Sequence, residues 1–268
     1  SDRTHFRMVF GVQELIYRSP EFQFAKEMLS HVNERYIDLT IQKEDVQFIV
    51  QQRLLQKNEH QKAQIRQHLS QFTVMFPHMN NNLDIYVNLF PVHPSYFENF
   101  SLIRIGKSQR EVLKTLSRKF ASIMENEVPD AEPGLICYDS YWKDMLSNVD
   151  LKADPDVSKV SDIAALIDQK IEDNFTRGLA PKKKLAHRIV AAASIKMLQA
   201  DLSHANGVTA DSLTNDLCHI DITCENYDEL VDLAFTHVLD SIVSATIGQY
   251  FEKGENEYHL RIEGGVNY

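Results

Sequence analysis

The sequence has little cysteine and no long apolar run. Only three of its 268 residues are cysteines, which indicates a reducing compartment rather than a secreted fold held by disulfides. No stretch of 18 apolar residues occurs, so no membrane span is predicted. No secretory leader is apparent at the start of the chain. These absences together predict a cytoplasmic protein.

The motifs of several catalytic classes are also absent. The phosphate-binding pattern GxxxxGK[ST] does not occur, and the nine glycines are scattered. No acidic pair follows an apolar strand where it would hold a magnesium ion. Cys218, His219 and Cys224 offer too few ligands at an unusual spacing, so no metal site is predicted. We therefore expect that this chain alone does not hydrolyse a nucleotide and carries no cofactor.

Charge is distributed unevenly along the chain. Residues 1–130 hold 16 Lys and Arg against 15 Asp and Glu, a net charge of +1, whereas residues 131–268 hold 12 against 23, a net charge of −11. Phosphate repels an acidic surface. The second half is therefore expected to be a poor non-specific binder of nucleic acid.

The first 42 residues are patterned as strand, helix and strand. Phe6–Phe10 is a short apolar run that ends at Gly11, and Ser19-Pro20-Glu21 is a strong helix start. Ile37–Ile41 alternates apolar and polar residues, the period of a strand. This pattern predicts the end of an α/β core, of the kind that binds nucleotides, over residues 1–42.

The remaining sequence predicts a mainly α fold in three parts. Residues 43–130 read as a helical subdomain, and residues 131–180 as a connecting helical segment with a helix capped at Asp154. Residues 181–268 predict helices from Pro181, over Ala210–Leu217 and over Tyr227–Ile247, and then a β-hairpin. Three helices followed by a hairpin is the order of a winged helix-turn-helix domain.

Three single residues are candidates for nucleotide contacts. Gln13, just past the first predicted strand, could orient an attacking water or touch a terminal phosphate; a loop amide bonded to nearby backbone is the alternative. Arg35 ends the helix before the second strand and could reach a neighbouring subunit's phosphate, or it could simply favour the helix C-terminus. His93 lies between two prolines at a helix start, where anions bind; a packed corner with a hydrogen-bonded histidine is the alternative.

Two groups of cations are candidates for binding nucleic acid. The first, the basic face, includes three residues spaced by four on one helix, and its members are Arg104, Lys107, Arg110, Lys114 and Arg118. The second, the basic cluster, lies at a predicted helix start in the acidic half and consists of Lys182, Lys183, Lys184, His187 and Arg188. For both groups a solvated helix end or face is the alternative. Cations are unfavourable at a helix N-terminus, so the basic cluster also predicts a compensating partner.

Several segments resemble a known family. They read FGVQELIYRSPEF, ERYIDLTIQKEDVQFIVQQRLLQK, LFPVHPSYFENF, REVLKTLSRKF and PGLICYDSYW, and they are similar to the large P-loop ATPases of bacterial phage-resistance systems, the BREX-type ATPases. The resemblance covers most of the chain, and LFPVHP together with PGLICYDSYW is its most specific part.

The resemblance implies that this chain is an interior piece of a much longer AAA+-like ATPase. It would supply the end of the ATPase core, a helical lid and a winged helix, while ATP and magnesium bind to the full-length protein. Gln13 would then lie near a sensor position, Arg35 at the arginine-finger position and His93 near the second sensor, where many relatives carry arginine. The implied partners are other phage-defence proteins, DNA and further copies of the full-length protein.

Three functions remain in competition at this point. The chain could couple ATP state to assembly or DNA engagement within such an ATPase. It could instead be a winged-helix regulator that binds DNA without ATPase activity, although the acidic second half disfavours this. It could also use the winged helix to dock a protein, which suits an acidic surface.

Overall fold

The computed structural model describes residues 45–103, 109–199 and 206–262. All of them belong to one compact unit, Lys43–Tyr268. The predicted strand–helix–strand of residues 1–42 lies outside the described residues, and so do its candidates Gln13 and Arg35. Arg104 and Lys107 of the basic face also lie outside them.

Six helices occupy the first two described ranges up to residue 123. They are α1 (Asp45–Arg53), α2 (Glu59–Ser70), α3 (Pro77–Asn81), α4 (Leu83–Leu89), α5 (Pro94–Leu102) and α6 (Gln109–Ile123). The Asn58 side chain accepts a hydrogen bond from the Gln61 backbone and Gln61 returns one, a capping box that starts α2. Pro94 stands at the first turn of α5, where its missing N–H costs nothing.

The middle of the chain begins with an irregular stretch and continues as three helices, α7 (Asp139–Ser147), α8 (Val149–Lys152) and α9 (Pro155–Asn174). Asp154 caps α9 as the sequence predicts. Its carboxylate accepts hydrogen bonds from the backbone N–H groups of Asp156 and Val157 at 2.9 and 3.4 Å. The long helix buries one apolar face, with Ile163, Ile167 and Ile171 in the core.

The last part of the chain holds helices and the sheet. It runs through a 3₁₀ helix (Arg177–Lys182), α10 (Lys183–Met197), α11 (Ala210–Leu217), α12 (Tyr227–Glu229), a π-helical segment (Leu230–Thr236), α13 (His237–Thr246), β1 (Phe251–Lys253) and β2 (Tyr258–Leu260). Thr209 caps α11 with a capping box to Ser212. The predicted helices over 210–217 and 227–247 and the predicted hairpin are confirmed. The mainly α fold class is confirmed as well.

A third segment extends the two-stranded sheet by one residue. β1 and β2 are antiparallel, with Phe251 opposite Leu260 and Lys253 opposite Tyr258. On the other edge of β2, Val208 and Tyr258 exchange two backbone hydrogen bonds of 2.9 and 2.8 Å. The stretch before α11 therefore pairs with the last strand of the chain.

Helix α10 lies at the centre of the packing. It packs against α7 and α9, and also against α11, α13 and β2. Its buried residues include Leu185, Ile189, Ala192 and Ala193, the residues that the sequence places on one face. The predicted connecting segment and the predicted winged-helix segment thus share a core. No helix in the described ranges is long and apolar enough to cross a membrane.

Candidate functional site

The two most specific motifs of the sequence lie against each other. Val92 of LFPVHP and Ile136 of PGLICYDSYW form a parallel β-bridge. The Ile136 N–H donates to the Pro91 carbonyl at 2.7 Å, and the His93 N–H donates to the Ile136 carbonyl at 3.0 Å. Gly134 has a φ of +69°, and a Cβ there would come within 2.9 Å of the Val128 side chain. These residues form a packed corner, which we call the motif corner.

His93 is buried in the motif corner, 1% exposed. Its Nε2 hydrogen-bonds to the Tyr86 hydroxyl at 2.9 Å, and its Nδ1 contacts the Ser95 hydroxyl at 2.7 Å and accepts from the Ser95 N–H at 3.1 Å. Burial lowers the pKa of His93 to about 3, so the ring is neutral. The predicted helix start is confirmed. Both ring nitrogens are engaged within the chain, so this arrangement offers neither to a phosphate.

A buried ion pair joins the motif corner to α10. The Arg188 Nε and Nη2 donate to the two Asp139 carboxylate oxygens at 2.7 and 3.3 Å, and Nη2 also donates to the Leu217 carbonyl at 2.9 Å. The Asp139 side chain is 8% exposed. The nearby Cys137 thiol donates to the same carbonyl at 3.4 Å. This fork fixes α7, α10 and the end of α11 to one another.

Every member of the basic cluster has an acidic partner within the chain. Lys182 pairs with Asp221, Lys183 with Glu172 at 2.7 Å, Lys184 with Glu132 at 3.5 Å, His187 with Asp168 and Glu172 at 2.6 and 2.8 Å, and Arg188 with Asp139. The Lys182 ammonium helps to lower the pKa of Asp221 to about 2, against the effect of burial. The compensating partner that the sequence predicts is therefore supplied by the chain itself.

Part of the basic face is visible on α6. Lys114 and Arg118 lie on its exposed side, one turn apart. Arg110 belongs to the same helix by backbone position. Lys119, the next residue along, turns inward and pairs with Asp144 of α7 at 2.7 Å. The helix that the sequence predicts here is confirmed, and its role in nucleic-acid binding stays a prediction.

The continuous helix from α12 to α13 presents acidic residues. Asp228 and Asp232 are four residues apart and both exposed, and Asp240 follows eight residues later. Asp240 accepts hydrogen bonds from the Tyr258 hydroxyl at 2.7 Å and the Lys253 ammonium at 2.9 Å, which ties the helix to the hairpin. Exposed carboxylates on this helix repel phosphate.

One family model fits the chain over most of its length. It describes the second domain of DUF6079 and matches residues 58–266. The chain belongs to the DUF6079 family. No curated protein and no solved structure matches it.

In this DUF6079 domain, the acidic partners of the basic cluster are residues that sequence reasoning did not select. Asp139, Glu172 and Asp221 are unremarkable acids in the sequence, and their basic partners lie 11 to 49 residues away. The excess of acid in the second half, together with the unusual lysine-rich helix start, was the signal that could have found them. Among the described residues, no group of three His, Cys, Asp or Glu side chains could hold a metal ion.

Proposed function

We propose that residues 181–268 form a winged helix that docks a protein rather than DNA. The element order supports the winged helix: α10, the Val208 bridge, α11, the helix from α12 to α13, β1 and β2. In a winged helix the stretch between the first two helices pairs with the last strand, as Val208 does with Tyr258. The helix from α12 to α13 takes the place of the recognition helix.

The ion pairs of the basic cluster are the observation that favours a protein partner over DNA. DNA affinity comes largely from Lys and Arg that neutralise backbone phosphates. All five members of the basic cluster are already paired with acids of the same chain. The recognition-helix position carries exposed Asp228 and Asp232 instead of cations. A surface of this kind suits a protein partner better than a phosphate backbone.

We further propose that this domain works inside a large AAA+-like ATPase of a phage-defence system. The support is the resemblance of the motif segments and the family description, which numbers this region as a second domain. ATP and magnesium would bind elsewhere in that protein, with Gln13 as sensor and Arg35 as arginine finger between copies. The docking module would then transmit the ATP state to other defence proteins.

DNA binding by the chain should be weak. We expect a fluorescein-labelled duplex to bind with a Kd of about 10⁻⁴ M or weaker near physiological salt, the weak end of non-specific binding. The measurement is fluorescence anisotropy at about 50 and 200 mM salt. The variant K114E/R118E tests the exposed part of the basic face, and K159E/K170E makes the same charge change on exposed lysines of α9. Micromolar, salt-dependent binding that only K114E/R118E abolishes would establish a nucleic-acid function and overturn the proposal.

ATP hydrolysis should be absent from the chain on its own. The sequence contains no phosphate-binding loop and no magnesium-binding acidic pair. Phosphate release in the presence of ATP and magnesium should stay at the level of a blank without protein. Turnover that co-purifies with the chain and persists after a second purification step would contradict its assignment as a part that lacks the catalytic residues.

A further inference from the structure

A groove of about 800 Å³ lies between the recognition-helix position and the end of α9. One wall is the exposed side of the π-helical segment and α13, including Asp232, Leu233 and Asp240. The other wall is the end of α9 and the 3₁₀ helix, including Phe175 and Leu179. Both walls belong to the same compact unit, because α9 packs against α13.

The groove includes an exposed apolar side chain among its mostly polar lining residues. Leu233 is 58% exposed although it belongs to a helix whose neighbours Ala234 and Phe235 are fully buried. Leu179 packs at the edge of the core, and Phe175 lies beneath the surface at 1% exposure. The exposed Leu233 and the partly buried Leu179 offer a place for an apolar anchor of a partner.

The backbone is unusual on the same wall. Leu230–Thr236 is π-helical, within a helix that is α-helical before and after it. π-Helical turns are rare and are frequent at functional sites. The wider turn contains Asp232, Leu233 and Thr236, all of which line the groove. The irregular backbone and the exposed leucine therefore occur at one place.

The charges around the groove favour a basic partner. Asp232 is exposed, and within the described part of the chain its carboxylate has no hydrogen bond or ion pair. Among the described residues that line the groove the lysine is Lys182, and it is already paired with Asp221. The surrounding half of the sequence carries a net charge of −11. A partner that brings a cation to Asp232 would meet no competing free lysine of the groove.

We propose that this groove binds an amphipathic, basic segment of a partner protein. An apolar side chain of the segment packs on Leu233 and the exposed part of Leu179, and a Lys or Arg beside it pairs with Asp232. Helix-in-groove recognition of this kind uses apolar anchors on one face and flanking charges for orientation. This inference rests on the proposed docking function. It identifies the surface that binds the partner and the chemical class of the partner.

The experiment uses the whole 268-residue chain and a defined probe. The probe is a fluorescein-labelled, alanine-based helical peptide with leucine and arginine on one face. A scrambled peptide of the same composition controls for plain charge attraction, which salt screens. Binding is followed by anisotropy at physiological salt.

Two variants of the groove are compared with two matched variants elsewhere. Asp232→Lys and Leu233→Ala alter the groove, while Asp162→Lys and Leu166→Ala make the same changes at exposed positions of α9 outside it. We expect each groove variant to bind the amphipathic peptide at least about tenfold more weakly than the parent, because it loses a charge pair or an anchor. The matched variants should bind as the parent does.

Three results would contradict the proposal that this groove binds a basic, amphipathic segment. They are equal binding of the scrambled peptide, equal losses in the groove and matched variants, and self-association of the chain that Asp232→Lys abolishes. If the peptide experiment gives one of these results and DNA binding is still absent, the groove is wrong but the proposed docking function remains. DNA binding that depends on the chain's cations removes the docking function itself, so the two failures are distinguishable.

Discussion

Replacing Arg188 with methionine should lower the free energy of unfolding by about 3–5 kcal/mol, since removing one partner of a buried ion pair leaves the other charge unpaired. The Asp139 carboxylate, which is 8% exposed, would lose the two hydrogen bonds that the Arg188 guanidinium donates to it. The Leu217 carbonyl would also lose a hydrogen bond. Urea unfolding can be followed through Trp142, the single tryptophan, which is buried in α7, the helix that begins at Asp139.

The matched control is Lys184→Ala. Lys184 belongs to the same basic cluster, but its pair with Glu132 is 3.5 Å long and both side chains are largely exposed, at 70% and 49%. Exposed pairs contribute about 0–1 kcal/mol. The double variant R188M/D139N should be more stable than R188M alone, because it no longer buries an unpaired carboxylate. Equal losses in Arg188→Met and Lys184→Ala would show that the buried pair does not hold the helices together.

Acid should destabilise the chain through His93. Its pKa in the folded protein is about 3, below the ordinary 6.5, so between these values the unfolded chain binds the proton and the folded chain does not. The stability that neutral His93 contributes to the folded state is fully present above pH 6.5, and it is lost as the pH falls toward 3. The loss is about 1.4 kcal/mol per pH unit, and up to about 5 kcal/mol in all. Urea unfolding at several pH values measures it.

The variant His93→Asn isolates this effect from other titrating groups. Asp216 acts in the opposite direction: burial raises its pKa to about 6, so its protonation stabilises the folded state as pH falls below that value. His219, with a pKa lowered to about 4 by burial, acts in the same direction as His93. Asp216 and His219 both remain in the variant. The difference between parent and variant in the slope of unfolding free energy against pH is therefore due to His93.

An exposed histidine provides the comparison. His60→Gln removes an imidazole from the surface of α2 instead of the core. His93→Asn should be less stable than the parent at pH 7 and lose less on acidification. A parent and His93→Asn with the same slope would mean that His93 is protonated in the folded protein at ordinary acid pH, contrary to its burial between Tyr86 and Ser95.

The helices of the described region were largely predictable because their start signals are local. Asp154 before Pro155, Thr209 before Ala210 and Pro94 at the start of α5 are each read within a few residues of sequence. The π-helical segment was not predicted, since it shares its apolar spacing with an ordinary helix. The Val208 bridge was not predicted either, because a single paired residue leaves no alternation to recognise.

The candidate site was less predictable because it depends on distant contacts. Asp139 and Arg188 are 49 residues apart, and nothing near either one identifies the other. His93 was placed correctly at a helix start, but its burial follows from Tyr86 and Ser95, and the structure has the packed corner with a hydrogen-bonded histidine. The roles of Gln13 and Arg35 stay predictions, because both lie outside the described residues.

The pairing of Val208 with Tyr258 sets the order in which this region is completed during synthesis. The two residues are 50 positions apart, and the last strand lies a few residues before the end of the described chain. Val208 therefore has no strand to pair with on the ribosome until the hairpin emerges. Contacts of such long range slow folding. An intact hairpin is thus needed to complete the packing around α10, and a chain that stops before Tyr258 would expose that core.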